Sequence, residues 1–194
     1  MLGFKNITFL SAIFCVVAIA AVGFARDSKT SDTSDSIEKR NVLSAELVEL
    51  SFMLGQWSGT VESRRSPIGD FTSGKIDMTV RPILDGSEIE TRYSGVVMNG
   101  TRWGFGRLSY NPRNKTFQRS WTDSLTSITL VSVGSFADNQ LAMNGSGSFF
   151  GLKYLFREVT TNVSDTSMTW RGEISLNDGE SWFVMLKGWF LRVG

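Results

Sequence analysis

Phe117, Arg119, Trp121 and Asp123 stand at every second position of one segment, so in an extended chain all four side chains leave the same face. Two large rings beside a guanidinium and a carboxylate make a surface suited to an amphipathic molecule. A carboxylate or other anionic head group would pair with the planar fork of Arg119, while Phe117 and Trp121 contact an apolar body. The opposite orientation makes Arg119 and Asp123 a solvated pair of little energetic worth, with the rings packed under a neighbouring helix. Alternation alone leaves both orientations open. Arg107, Arg157 and Arg171 share the ambiguity, with Glu90, Glu158 and Glu173 as candidate partners.

The residue types that are missing narrow the chemistry. The chain has no histidine and one cysteine, Cys15, so the commonest general base, thiol nucleophile and zinc-ligand types are scarce or absent. Histidine-ligated haem is excluded, and Tyr93, Tyr110 and Tyr154 read as strand residues before they read as haem ligands. Glu88 and Glu90 read as surface charge. No metal and no cofactor is expected, and no catalytic residue is assigned. The glycine-rich piece Asn144 to Gly151 has no helix after it to present amides to a phosphate. It reads as a bulged hairpin or portal loop, with Phe149 and Phe150 at its tip gating a cavity. Trp103, Trp121, Trp170, Trp182 and Trp189 supply either core or pocket lining.

The elements that must hold these residues follow from periodicity. Ten segments rich in β-branched and aromatic residues run roughly over 56–63, 73–82, 87–97, 101–110, 115–123, 126–136, 139–145, 152–163, 166–176 and 180–192. Asp85-Gly86, Asn99-Gly100, Asn111-Pro112, Asp138-Asn139 and Asn177-Asp178-Gly179 suit tight reversals between them. Ile76, Met78 and Val80 alternate with Lys75, Asp77 and Thr79, which separates an apolar from a polar face. An antiparallel meander of ten strands removes its exposed edges by closing. The expected fold is therefore all-β, an up-and-down barrel of about ten strands. Leu43, Leu47, Leu50 and Leu54 add one short helix ahead of it, with Ser44 as its cap.

Residues 1–25 read as a removable export signal: Lys5, then apolar sequence from Ile7, then small residues up to Ala25. The apolar run is about long enough to cross a bilayer, so an uncleaved N-terminal anchor is the alternative. Residues 26–42 are a polar linker with too little apolar surface to order itself, and 43–194 form the domain. Cleavage after Ala25 removes Cys15, one of 20 basic residues and none of 19 acidic ones. The mature chain is then formally neutral, without general attraction to nucleic acid and without a stable membrane anchor. The asparagines that begin N-x-S/T sequons, Asn99, Asn114, Asn144 and Asn162, matter only in a eukaryotic host.

Gly55-Gln56-Trp57 matches the G-x-W motif with which calycin barrels such as lipocalins enter their first strand. More closely, the chain is similar to a bacterial lipocalin-like family of unknown function. The similarity is carried by Arg81 to Gly86 (RPILDG), Gly104-Phe105-Gly106, Ser109 to Pro112 (SYNP) and Trp121 to Ser124 (WTDS), and it spans residues 47–192. Asn111 stands where that family usually has aspartate, and Asn99-Gly100-Thr101 replaces a more apolar link; both are turn positions. The resemblance implies that Trp57 packs across one end of the barrel beneath Arg192 of the last strand. It also implies a lumen that takes a small apolar or anionic amphipathic ligand. A filled barrel serving as a protein-interaction or envelope module, and a barrel enzyme working through carboxylates, are the other two classes. Export predicts that protein recovered from the periplasm or medium has an intact mass lacking residues 1–25; a full-length mass there contradicts cleavage.

Overall fold

The computed structural model describes residues 43–124, 129–149 and 152–193; the expected signal 1–25, the linker 26–42 and Phe150 lie outside them. Among the described residues ten strands follow one another: β1 (Gly55–Ser63), β2 (Thr72–Ile83), β3 (Glu88–Val97), β4 (Gly100–Asn111), β5 (Thr116–Asp123), β6 (Thr129–Ala137), β7 (Gln140–Phe149), β8 (Leu152–Ser164), β9 (Ser167–Ser175) and β10 (Phe183–Arg192). Each pairs antiparallel with its neighbours in sequence, and β10 returns to β1, closing the sheet into the expected barrel.

The expected helix forms as a 3-10 turn over Val48–Met53. Leu47, Leu50 and Met53 explain the tighter winding: spaced by three, all buried, they align only when three residues complete a turn. Ser44 is not the cap of this helix: the N-cap is Leu47, without a side-chain bond, and the Ser44 carbonyl accepts from the amides of Leu47 (2.9 Å) and Val48 (3.2 Å) in the turn before it. Because β1 starts beside this helix, the connections after the even-numbered strands lie at the same end of the barrel. Those after the odd-numbered strands lie at the other, the mouth.

The helix end is packed shut. Leu47, Leu50 and Met53 meet the buried inward side chains Trp57, Val80, Ile89, Leu108, Phe117, Leu141, Met143, Met168 and Phe190 in one cluster. Phe52 packs on Phe136, ring centroids 5.7 Å apart. Each fully buried large apolar side chain contributes about 1.5–3 kcal/mol. Arg192 fastens this floor. Its guanidinium lies 4.3 Å from the Trp57 ring centroid, while Nη2 donates to the Phe52 carbonyl (2.9 Å), Nε to that of Asp165 (2.9 Å) and Nη1 to that of Leu54. Trp57 Nε1 in turn donates to the Met53 carbonyl at 2.8 Å. Gly55 is required here: its φ is 124°, and a Cβ would run into Arg192.

Two turns differ from expectation for local reasons. The β3–β4 reversal centres on Met98 and Asn99 (φ 51° and 61°), one residue before the expected Asn99-Gly100. Met98 tolerates positive φ because its amide donates to Ser63 Oγ and its carbonyl accepts from Arg65 Nη2, both at 3.1 Å. Up to Phe149 the glycine-rich piece is an arm of the β7–β8 hairpin, as one of the two expectations had it, but without the bulge, and it is not a portal loop. It continues β7 in unbroken register with β8, from Gln140↔Thr161 to Phe149↔Leu152. Gly145 and Gly147 fit a strand there because the Phe156 and Tyr154 rings opposite occupy the space a Cβ would need.

On the outer wall, Glu90 is not simple surface charge. It is 5% exposed, held by Arg81 Nε (3.0 Å) and by Arg92 through Nε (2.8 Å) and Nη2 (3.1 Å). Glu173 repeats the arrangement with Arg171 Nε (3.0 Å) and Arg157. The hydrogen bond from Arg92 leads in holding the Glu90 pKa below the carboxylate range, against desolvation and with help from Arg81. For Glu173, burial raises the pKa but the bonds from Arg171 and Arg157 outweigh it, and the net shift is downward.

Two outcomes follow. In urea unfolding, Trp57→Ala costs about 3–5 kcal/mol, and with Arg192→Ala the double-mutant cycle shows a coupling of at least about 0.5 kcal/mol; strict additivity contradicts the clamp. Both glutamates are depressed in the fold. Their contribution is therefore present above the unfolded carboxylate pKa of about 4.3 and is lost as pH falls through the lower folded values. Screening by solvent keeps it modest, since the arginines are half exposed. Between pH 7 and pH 3 the Tm of Glu90→Gln/Glu173→Gln falls less than that of the parent; equal falls remove the two clusters from the acid response.

Candidate functional site: the upper lumen

Residues directly opposite one another in antiparallel strands share a face, so register carries orientation around the barrel. Phe117 opposes Tyr110, Arg119 opposes Leu108, Trp121 opposes Gly106 and Asp123 opposes Gly104. Leu108 belongs to the packed interior at 3% exposure. The stripe therefore faces inward, which decides between the two orientations that alternation left open. Across β6 and β7 the same face continues onto β8, where Tyr154, Phe156 and Glu158 stand opposite Gly147, Gly145 and Met143.

Exposure changes along this face. Phe117 is 3% exposed and meets Tyr110 edge-on, centroids 5.3 Å apart at 62°, so it is part of the floor. Towards the mouth, Trp121, Asp123, Tyr93 and Tyr154 also point inward yet remain only partly buried. Inward side chains are thus buried at the base and partly exposed towards the mouth. β7 ends at the mouth with Phe149.

Arg119 sits between the two zones with its side chain 11% exposed. Its guanidinium lies 5.7 Å from the Trp121 ring centroid and makes ion-pair contact with Glu158 on β8. Glu158 also accepts from Trp170 Nε1 at 3.0 Å. The contact to Glu158 is made by Nη2, and Nε of Arg119 is left buried without a hydrogen-bond acceptor. A buried charged donor without an acceptor costs upwards of about 1–3 kcal/mol. Burial pushes the Arg119 pKa down to about 10, which still leaves it cationic at neutral pH.

Tyr93 and Trp121 lie parallel, 3° between planes and 5.6 Å between centroids. Burial first, and the Asp123 carboxylate second, push the pKa values of Tyr93 and Tyr154 above the ordinary phenol range. Both hydroxyls are therefore protonated hydrogen-bond donors around neutral pH. A positive fork, phenolic donors and partly exposed flat rings on one inward face are groups that suit non-covalent binding of a small molecule.

The remaining sequence candidates separate by position. Arg157 and Arg171 both engage Glu173, and Arg107 lies 4.0 Å from Glu88. Trp103 and Trp189 are outside and exposed, while Trp182 carries Arg157 at 4.2 Å. Tyr93 and Tyr154 were not among the expected site residues, and Glu158 only as one of several partners. Their place depends on strands that are distant in sequence. Among the described residues no helix is long and apolar enough to cross a membrane.

A family model described as "Protein of unknown function (DUF1579)" matches residues 45–192. No curated protein matches the chain. Among solved structures, the S-type phycobiliprotein lyase CPES of Guillardia theta is similar at a TM-score of 0.53 and 11% identity, over 84% of this chain and 99% of that one. At that identity the likeness is one of fold. A protein of unknown function from the DUF3598 family of Nostoc punctiforme aligns at a TM-score of 0.24 and 8% identity, over 78% of this chain and all 100% of that one, which carries no argument.

Proposed function

The chain belongs to the DUF1579 family, whose description assigns no activity, and from its lumen we propose that it binds a small amphipathic anion non-covalently. The observation that carries this reading is Arg119: a buried, inward guanidinium that shares Glu158 through Nη2 and whose Nε lacks an acceptor, placed beneath partly exposed aromatic side chains. An anionic head group supplies that acceptor. Trp121 and Tyr93 contact the body, Asp123 lies nearer the mouth, and Phe117 supports the site from the floor. Phe149, at the end of β7, and Phe150 after it take the part of a gate in this proposal. A phycobiliprotein lyase with the same fold is compatible with a working lumen. The export expected of residues 1–25 makes the protein a periplasmic or extracellular carrier.

Dodecanoate titrated calorimetrically into the full chain tests the reading. Charge-assisted hydrogen bonds contribute about 1.5–3 kcal/mol, so Arg119→Met weakens binding by about 10- to 150-fold. Arg119→Met strands Glu158 as an unpaired buried charge. Arg119→Met/Glu158→Gln therefore serves as the variant that keeps the lumen neutral. Loss of affinity in that folded double variant supports the site; affinity equal to the parent's refutes it.

A further inference from the structure

Four of the inward rings do not project across the lumen. Tyr93 lies over Gly104 and Trp121 over Gly106, from the two strands that flank β4. Tyr154 lies over Gly147 and Phe156 over Gly145, both on β7. In each case the ring occupies the place where a Cβ on the opposing residue would stand, and the two are direct cross-strand partners. A glycine weakens a strand interior and marks close approach; here it lets a ring settle flat against the wall. Any side chain at those positions would lift the ring into the central space.

The consequence is a lumen surfaced with aromatic faces. On β4 the two rings are parallel within 3°, and on β7 the Tyr154 and Phe156 rings adjoin at 6.4 Å with a tilt of 47°. Of the aliphatic side chains on the same inward face, Leu108, Leu141 and Met168 lie in the buried floor, while Leu130 and Ile174 stand opposite Trp121 and Phe156 and border the rings. Aromatic faces favour offset stacking on another π-system over contact with a flexible alkyl chain, which also loses more rotational freedom on binding.

We propose that the ligand class of this lumen is a planar conjugated anion, stacked on the Tyr93–Trp121 wall with its anionic edge at Arg119, rather than a saturated fatty acid. The proposal rests on the lumen reading above and narrows it. The phenols of Tyr93 and Tyr154 and the guanidinium of Arg119 address polar atoms on the edge of such a plane, leaving its faces to the rings. The same stacking surface serves equally for a polycyclic or a linear conjugated system.

The test compares two carboxylates on the full chain: 9-anthracenecarboxylate and dodecanoate. Stacking on the Tyr93–Trp121 pair is expected to make the planar probe bind about tenfold tighter or more. This achiral probe should also acquire an induced circular dichroism band on binding. Trp121→Leu should weaken anthracenecarboxylate binding several-fold more than it weakens dodecanoate binding. Gly106→Ala, which lifts the Trp121 ring but keeps it, should lower anthracenecarboxylate affinity selectively. Equal affinities in the parent, tighter dodecanoate binding, or a preference untouched by Trp121→Leu overturns the planar-ligand inference and leaves the anion site standing. Failure of both carboxylates to bind overturns both.

Discussion

The pairing of β1 with β10 is the constraint on which the remaining structure depends. Until those strands meet, a ten-strand meander has two edges and no inside, and its alternating faces are only faces of a sheet. Once Trp57 stands opposite Arg192, one parity of every strand is inside and the other is outside. Arg192 sits at that seam, stacked on Trp57 and bonded to backbone carbonyls before β1 and between β8 and β9. It therefore joins the first strand, the last strand, the preceding helix and the floor. The site lies several strands away, yet the inward direction of Arg119 follows from the same closure.

Closure also divides the interior into two regimes. Near the helix, side chains interlock and exclude water, as protein cores do. Nearer the mouth, glycines on β4 and β7 remove side-chain volume from the wall, and large rings fill only the space beside it. The Arg119–Glu158 pair stands between them. A buried ion pair without full hydrogen bonding is a poor way to stabilise a fold, and a barrel of this size has apolar floor enough without it. Under the proposed function, an occupant that supplies an acceptor to Arg119 Nε gives that arrangement a physical purpose.

The strand count, the up-and-down order and most reversals were legible because period-2 alternation and turn residues are local properties. Asp138-Asn139 adopts positive φ at both positions, as its composition suggests. The Trp57–Arg192 contact was reached through resemblance; spacing could not have revealed it. The direction of the Phe117–Asp123 stripe was illegible, since the stripe mixes rings with both signs of charge while the other face is uncharged and polar (Thr116, Gln118, Ser120, Thr122), so neither is a plain apolar face, and only the register with Leu108 decides between them. Glycine-rich residues 144–149 misled for a different reason. Gly145 and Gly147 look like loop formers until the rings of Phe156 and Tyr154, on another strand, are seen to need their space. The pairing of Arg119 with Glu158 was hidden too, because it links strands separated by two others.

The head group of a bound carboxylate reports on Arg119 more directly than affinity does. The decisive measurement is a pH titration of the carboxyl resonance of [1-13C]dodecanoate bound to the full chain, followed by 13C NMR. A guanidinium that accepts the anion stabilises its charged form, so the bound acid titrates below the free acid, and this depression disappears in Arg119→Met/Glu158→Gln. A bound carboxyl that titrates at or above the free value would place the head group away from Arg119 and contradict the account.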